Sequence, residues 1–232
     1  MSFEDTTLIL PTLNEKENLP FLLKLIKKLY PDLWITIVDD GSNDGTKELA
    51  ISYSKKNKKI KFLNRENKKK HGLCISIIEA IKKTKTRYFI VMDADLQHPP
   101  EIIKEIKKSL ERKNKLVIAT RKKVEKWKIQ RRLMSKVANH LAKISLFCRR
   151  KKTPKDILSG FFGGESLLFK DLIKKNSRKF EYGGYKILFD FLKILPKKIE
   201  IKEIPYNFGE RKMGQSKIKK RHVFYFVKSL FK

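Results

Sequence analysis

Val91-Met-Asp-Ala-Asp-Leu-Gln-His-Pro-Pro100 is the stretch on which the reading of this chain turns. It follows Tyr88–Met92, five apolar or aromatic residues without a break, the pattern of a strand buried on both faces. The strand stops at two aspartates, Asp93 and Asp95. Gln97 and His98 come next, and Pro99-Pro100 ends the segment and opens a helix. Carboxylates at the carboxyl end of a buried strand lie where open α/β sheets bind ligands. Two hard carboxylate donors and an amide oxygen suit Mg²⁺ or Mn²⁺ holding a diphosphate. An aspartate-capped helix start gives the same short pattern, so the segment has to be weighed with its neighbours.

Working outward, the first half alternates strands and helices. Strands are expected at Thr7–Leu10, Trp34–Val38, Ile60–Leu63, Tyr88–Met92 and Leu116–Ala119. Helices are expected at Glu15–Leu29, Asp44–Ser54, Gly72–Lys82 and Pro100–Leu110. This order predicts an α/β fold, a mostly parallel sheet with helices on both faces and right-handed crossovers. The second half is less regular. Lys126–Phe147 reads as a long amphipathic helix, and Ser159-Gly-Phe-Phe-Gly-Gly164 as a break. Helices near Ser166–Ile173 and Gly184–Ile194 follow, then an alternating strand at Lys198–Tyr206 and a basic loop over Gly209–Lys220. Val223–Phe231 closes the chain as an amphipathic helix. Neither a repeat nor a low-complexity linker interrupts it, so residues 1–220 read as one domain and 221–232 as a helical extension.

Two further strand ends carry polar clusters, Leu10-Pro-Thr-Leu-Asn-Glu-Lys-Glu-Asn18 and Val38-Asp-Asp-Gly-Ser-Asn-Asp-Gly-Thr46. Each alone would pass as a capped βα loop. Parallel strands, however, present their carboxyl ends on one edge, so Glu15, Asp40, Asp93 and Asp95 should converge.

These segments, with Ser159-Gly-Phe-Phe and Arg211-Lys-Met-Gly-Gln-Ser-Lys217, resemble in order and type the family 2 glycosyltransferases of the dolichol-phosphate mannose synthase, or polyprenyl-phosphate glycosyltransferase, group. The resemblance spans nearly the whole chain and implies a GT-A-type nucleotide-diphospho-sugar transferase fold. It implies that Pro11, Glu15, Val38 and Asp40 line the nucleoside pocket. Leu13 lies in the same donor-binding loop, although the family often has Tyr there. Asp93, Ala94 and Asp95 would face the donor diphosphate, with Asp95 and Gln97 as ligands of the divalent metal and Asp93 ligating or orienting beside them. Arg121, Arg131 and Ser135 resemble residues that hold acceptor phosphate and donor. Arg211 and Lys217 resemble donor-phosphate clamps on a closing loop. The group implied to carry the reaction is Asp95 with Arg121 and Arg131. The chain departs from the family at Phe162, where many members have Arg, and at Met213, where a basic residue is common. The absence of a Gln-x-x-Arg-Trp element argues against a processive polysaccharide synthase.

The resemblance implies transfer of a hexose, mannose from GDP-mannose first, to dolichyl or polyprenyl phosphate. The alternative is a UDP-sugar donor, such as UDP-glucose, or a surface-glycan acceptor. An acceptor phosphate with a second pKa of about 6 is mostly dianionic at neutral pH and needs no base, so direct displacement with inversion is expected. His98 therefore reads as a structural cap and His71 as a solvated loop residue.

The chain has 56 Lys and Arg against 25 Asp and Glu, a net charge of +31. The basic residues are spread along the whole sequence, so the charge alone names no partner. Nucleic-acid binding would call for a concentrated basic face and a base-reading motif, and the sequence has neither. Cys74 and Cys148 sit in apolar helical patterns without metal or disulfide spacing, which suits a reducing compartment. No secretory signal opens the sequence and no apolar run approaches the ~20 residues of a spanning helix. Basic residues before the last helix, and after Lys126–Phe147, make both helices candidate interfacial anchors. The expectation is a cytoplasmic protein held peripherally at the cytoplasmic face of a membrane.

Overall fold

The computed structural model describes residues 1–124, 129–211, 213 and 220–232, with backbone alone for 123–124, 129–132 and 220. Among these residues seven strands form one sheet: β1 (Thr6–Thr12), β2 (Trp34–Asp39), β3 (Ile60–Asn64), β4 (Tyr88–Val91), β5 (Leu116–Val124), β6 (Phe162–Glu165) and β7 (Ile201–Phe208). Their spatial order is β3-β2-β1-β4-β6-β5-β7. All neighbouring pairs are parallel except those of β6, which runs antiparallel to both β4 and β5. The mostly parallel α/β sheet expected from the sequence is therefore present, with one reversed strand inserted.

That strand corrects the reading of Ser159–Gly164 as a break. Phe162-Gly-Gly-Glu165 has too little side chain to show a period, yet its glycines are required. A Cβ on Gly163 would sit 2.6 Å from Ile106 Cγ2, and one on Gly164 2.5 Å from Phe169 Cε2. The glycines let helices on the two faces press onto the sheet. β7 ends the sheet as an edge, which explains how it tolerates Pro205, a residue that cannot donate to a ladder.

Among the described residues eight α-helices cover both faces: α1 (Leu19–Leu29), α2 (Thr46–Lys56), α3 (Leu73–Lys83), α4 (Ile102–Glu111), α5 (Ile129–Cys148), α6 (Ser166–Lys175), α7 (Ile187–Ile194) and α8 (Lys220–Phe231). One core layer joins α1 and α4 to the sheet through Leu19, Leu22, Leu23, Ile26, Ile103 and Ile106. The other joins α3, α6 and α7 through Ile77, Ile81, Phe169, Leu188 and Phe191. Each such side chain, fully buried, contributes about 1.5–3 kcal/mol. Strand β1 is buried at every position, as a central parallel strand covered on both faces should be.

The long helix departs from the usual amphipathic rule. On α5, Ala142 and Leu146 are buried, while Leu133, Met134, Val137, Leu141, Ile144 and Phe147 are exposed. Its apolar stripe faces outward. On α8, Phe226 is buried and Leu230 packs against the core, while Val223, Phe224, Val227 and Phe231 are exposed. Helix α8 is docked by polar contacts as well: Ser229 Oγ donates to Asp190 Oδ1 (2.6 Å), and Lys193 Nζ donates to Ser229 O (2.8 Å) and lies 2.8 Å from Asp190 Oδ1. Among the described residues no helix is long and apolar enough to cross a membrane.

Candidate active site

The carboxyl ends of β1, β2 and β4 lie on one edge of the sheet, and the loops that leave them are stitched together. In the parallel register Pro11 pairs with Val38 and Thr12 with Asp39. Asp39 is fully buried and acts as the knot of its loop. It accepts from Thr12 Oγ1 (2.9 Å), Gly41 N (3.2 Å), Ser42 N (2.9 Å) and Ser42 Oγ (2.5 Å). The first loop is tied to the second by Asn14 N donating to Ser42 Oγ and Glu15 N donating to Thr46 Oγ1, both at 2.8 Å. Asn18 does not cap α1; its Nδ2 donates to Glu15 Oε2 at 2.7 Å, which aims that buried carboxylate.

Asp40 is held from the other side. Its Oδ2 accepts from Gly72 N (2.6 Å) and its Oδ1 from Arg65 Nε (3.2 Å). Arg65 is buried and also lies 2.6 Å from Glu79 Oε1. Burial raises the Asp40 pKa above the usual carboxylate range despite these partners. His71 is exposed, as expected of a loop residue, but its Nδ1 lies 3.1 Å from Asp40 O and so borders the same pocket.

The Asp93–Pro100 segment forms the centre. Leu96 adopts a left-handed backbone conformation (φ 62°), which costs a non-glycine residue of order 1–3 kcal/mol and is sustained only by its surroundings. Here it folds the segment so that Gln97 N donates to Asp95 Oδ1 (3.2 Å). Gln97 and Gly209 exchange two bonds, Nε2 to Gly209 O and Gly209 N to Gln97 O, both 2.9 Å. With its amide nitrogen so engaged, Gln97 has Oε1 as its atom for a cation. Asp93 and Asp95 are driven apart electrostatically. Burial and the neighbouring Asp93 raise the Asp95 pKa. Burial also pushes Asp93 up, but the hydrogen bond from His98 and the charges of Lys186 and Arg211 bring it below its ordinary value. Arg211 Nη2 lies 2.5 Å from Asp95 Oδ2, so a positive charge on that oxygen is compatible with the site. Two carboxylates and an amide oxygen suit a hard divalent cation whose remaining ligands come from a diphosphate; among the described residues no three His, Cys, Asp or Glu side chains form a metal cluster by themselves.

Arg121 lies in the extended part of β5, beyond the strand end expected at Ala119. Its Nε and Nη2 grip Asp156 Oδ2 and Oδ1, both at 2.7 Å, a two-pronged ion pair with little solvent exposure. Ser135 is half-buried on α5, one turn before Asn139. Asn139 Nδ2 donates to Lys155 O (2.9 Å) and its Oδ1 accepts from Ile157 N (3.1 Å), bracketing Asp156 and fixing α5 beside it. Leu13 is half-buried, and Val38 and Ala94 are buried in the walls of these loops. The side chain of Arg131 and the whole of Lys217 lie outside the described residues.

Four residues of this site were not found from sequence. Asp156 was missed, although an acid three residues before Ser159-Gly-Phe-Phe is a signal. Gly160 lies inside the Ser159-Gly-Phe-Phe motif, and a Cβ there would fall 2.7 Å from Asp93 Oδ2. Lys186 donates to Leu158 O (3.0 Å), and burial together with the Arg121 charge lowers its pKa to about 8. His98, expected to be a cap, is instead buried against Asp93 and Tyr206.

The sheet order, with polar loops at one edge, is that of the GT-A architecture. The Glycosyl transferase family 2 profile matches residues 7–176, and the chain belongs to that family. It is 34% identical over 97% of its length to a dolichol-phosphate mannosyltransferase of Pyrococcus furiosus, of which it spans 62%. It is 29% identical over 97% of its length to the Saccharomyces cerevisiae dolichol-phosphate mannosyltransferase, of which it spans 85%. In fold it is similar to glucosyl-3-phosphoglycerate synthase of Mycobacterium tuberculosis, crystallised with Mn²⁺, UDP-glucose and phosphoglyceric acid, with a TM-score of 0.65 at 17% identity, covering 97% of this chain and 79% of that one.

Proposed function

We propose that this chain transfers mannose from GDP-mannose to dolichyl or polyprenyl phosphate at a membrane surface, in a metal-dependent single displacement with inversion. In this reading residues 1–220 are the transferase and 221–232 a helical surface anchor, on the cytoplasmic side. The observation that carries it is the pairing of the three-loop acidic site with the outward apolar stripe of α5. A water-soluble acceptor gives no reason for that stripe, whereas a lipid-linked phosphate must be met at a bilayer. The names of the curated relatives support the same acceptor and sugar.

The chain's own residues divide the work. Glu15 and Asp40 offer acceptor oxygens to N–H and O–H groups of the nucleoside, with Pro11, Leu13 and Val38 as apolar wall. Asp95 and Gln97, with Asp93 beside them, would hold Mg²⁺ or Mn²⁺, which when bound neutralises the diphosphate leaving group. Arg211 and Lys217 add cationic charge to that diphosphate. Arg121, Arg131 and Ser135 hold the acceptor phosphate, with Arg121 oriented by Asp156. Bidentate guanidinium contacts aim the attacking oxygen, and no general base is called for. His98 Nε2 is already bonded to Asp93, which suits its absence from proton transfer.

Purified protein assayed with a panel of GDP- and UDP-sugars and one polyprenyl phosphate tests the reading. Transfer from GDP-mannose that is abolished by Asp95→Ala is expected, with the anomeric configuration inverted. A retained configuration overturns single displacement. Transfer only from a UDP-sugar, or only to a surface glycan, replaces the donor or acceptor assignment.

A further inference from the structure

His98 is where the strand-end segment of β4 meets β7. Its Nε2 lies 3.2 Å from Asp93 Oδ2, and its Nδ1 lies 2.8 Å from the Tyr206 hydroxyl. Both rings are buried, at 2% and 4% exposure. The imidazole is boxed by Phe161 and Phe208, edge-on with centroids 5.1 Å away, and by Tyr206 at 5.7 Å. Such a box holds the ring in one orientation. The reciprocal Gln97–Gly209 bonds tie the same two segments by a second route. The Gly160 backbone also closes on Asp93, so tightly that a Cβ would stand 2.7 Å from Oδ2.

We infer that Tyr206 and His98 are positioning residues for Asp93: the Tyr206 hydroxyl anchors the imidazole at Nδ1, and the anchored ring aims the carboxylate through Nε2. An ionised carboxylate only accepts hydrogen bonds, so His98 presents N–H at Nε2. In the neutral ring the other nitrogen then accepts, and the phenol O–H is its donor. Burial raises the Tyr206 pKa well above its ordinary value, which keeps the hydroxyl protonated. Without that hydroxyl Nδ1 loses its partner and the ring is held at Nε2 alone, so it can shift and take the carboxylate with it. The inference rests on the proposed role of Asp93 at the diphosphate and metal site. Groups that orient metal-site ligands typically matter by about 10–100-fold in metal affinity or activity.

The test uses full-length wild type, Tyr206→Phe, His98→Gln and His98→Leu, with Asp95→Ala as control. Ring ¹⁵N NMR of labelled histidine reads the His98 tautomer without any metal, and paramagnetic resonance reads Mn²⁺ affinity. Wild type is expected in the Nε2–H form. Tyr206→Phe, which conserves shape, should shift the Nδ1 resonance as its hydrogen bond is lost and weaken Mn²⁺ binding about tenfold or more. His98→Gln, whose amide both donates and accepts, should bind Mn²⁺ more tightly than His98→Leu. An Nδ1–H tautomer in wild type overturns the inference. So does a Tyr206→Phe protein with a wild-type Nδ1 resonance, or with a shifted one and wild-type Mn²⁺ affinity. If Asp95→Ala leaves Mn²⁺ binding intact, the metal-site reading fails, and the Nδ1 measurement still decides the Tyr206–His98 link by itself.

Discussion

Arg211 and Asp95 are joined by a 2.5 Å contact between Nη2 and Oδ2, and Arg211 Nη1 lies 4.0 Å from Glu15 Oε1. One guanidinium from the segment after β7 thus spans carboxylates from the loops after β1 and β4. Arg211 and a divalent cation both satisfy Asp95, so they compete for it. A charge-assisted hydrogen bond is worth about 1.5–3 kcal/mol, so Arg211→Gln should bind Mn²⁺ about tenfold more tightly in a titration without donor. The same variant should transfer sugar more slowly, having lost a cation for the diphosphate. Unchanged Mn²⁺ affinity would show that the ion pair does not guard the site.

Gly160→Ala probes the close approach to Asp93. The added methyl meets Asp93 Oδ2 at 2.7 Å, and the carboxylate is the group that must shift. Inserting a methyl into a packed site costs about 1–3 kcal/mol in stability. Transfer should fall by more than tenfold, because displacement of a reacting constellation by about 1 Å costs on the order of 10²-fold. Denaturant midpoints and kcat/KM measured side by side separate the two effects.

Much of this site was legible because its chemistry is local. Asp39-Asp-Gly-Ser42 and Asp93-Ala-Asp95 sit directly after apolar strands, and a parallel sheet brings such strand ends together. What escaped depends on contacts distant in sequence. Tyr206 meets His98 across 108 positions, and no periodicity encodes that meeting. Lys186 is one of 56 basic residues, and only burial beside Arg121 sets it apart. Strand β6 escaped because glycines at its centre erase the alternation that marks a strand. The outward stripe of α5 has the same periodicity as a core-facing one, so the sequence defined the stripe but not what it faces.

Lys186 also carries a pH dependence. Its pKa in the folded protein is lowered from 10.5 to about 8, chiefly by burial. Between these values the unfolded chain binds the extra proton and the folded one does not, so stability rises as pH climbs from 8 towards 10.5. Below pH 8 the lysine is charged in both states and its desolvation counts fully against the fold. Lys186→Met should flatten the rise seen in thermal unfolding between pH 7.5 and 10. In the wild type an anionic donor placed nearby favours the charged form, so donor binding at pH 8.5 should take up protons, read by calorimetry in buffers of different ionisation enthalpy. Equal pH profiles for the two proteins would remove Lys186 from the account.

The membrane face calls for point substitutions rather than truncation. Ending the chain at Lys220 would delete Ser229, which accepts from Lys193 and donates to the buried Asp190, and would uncover Phe189 beneath Phe226. Loss of binding by such a variant would confound docking with unfolding. Phe147 and Phe224 are exposed at 77% and 65%, so Phe147→Glu with Phe224→Glu leaves the core intact. Each phenylalanine buried in the interface is worth about 1.5–3 kcal/mol, and each added carboxylate is repelled by anionic lipid. Together the pair should weaken flotation with anionic liposomes by at least tenfold while thermal unfolding stays within a few degrees of wild type. Transfer to a short, water-soluble polyprenyl phosphate should persist in the double variant, because neither substitution touches Asp95, Arg121 or Asp156. Undiminished liposome binding would mean that this stripe is not the face the protein turns to the bilayer.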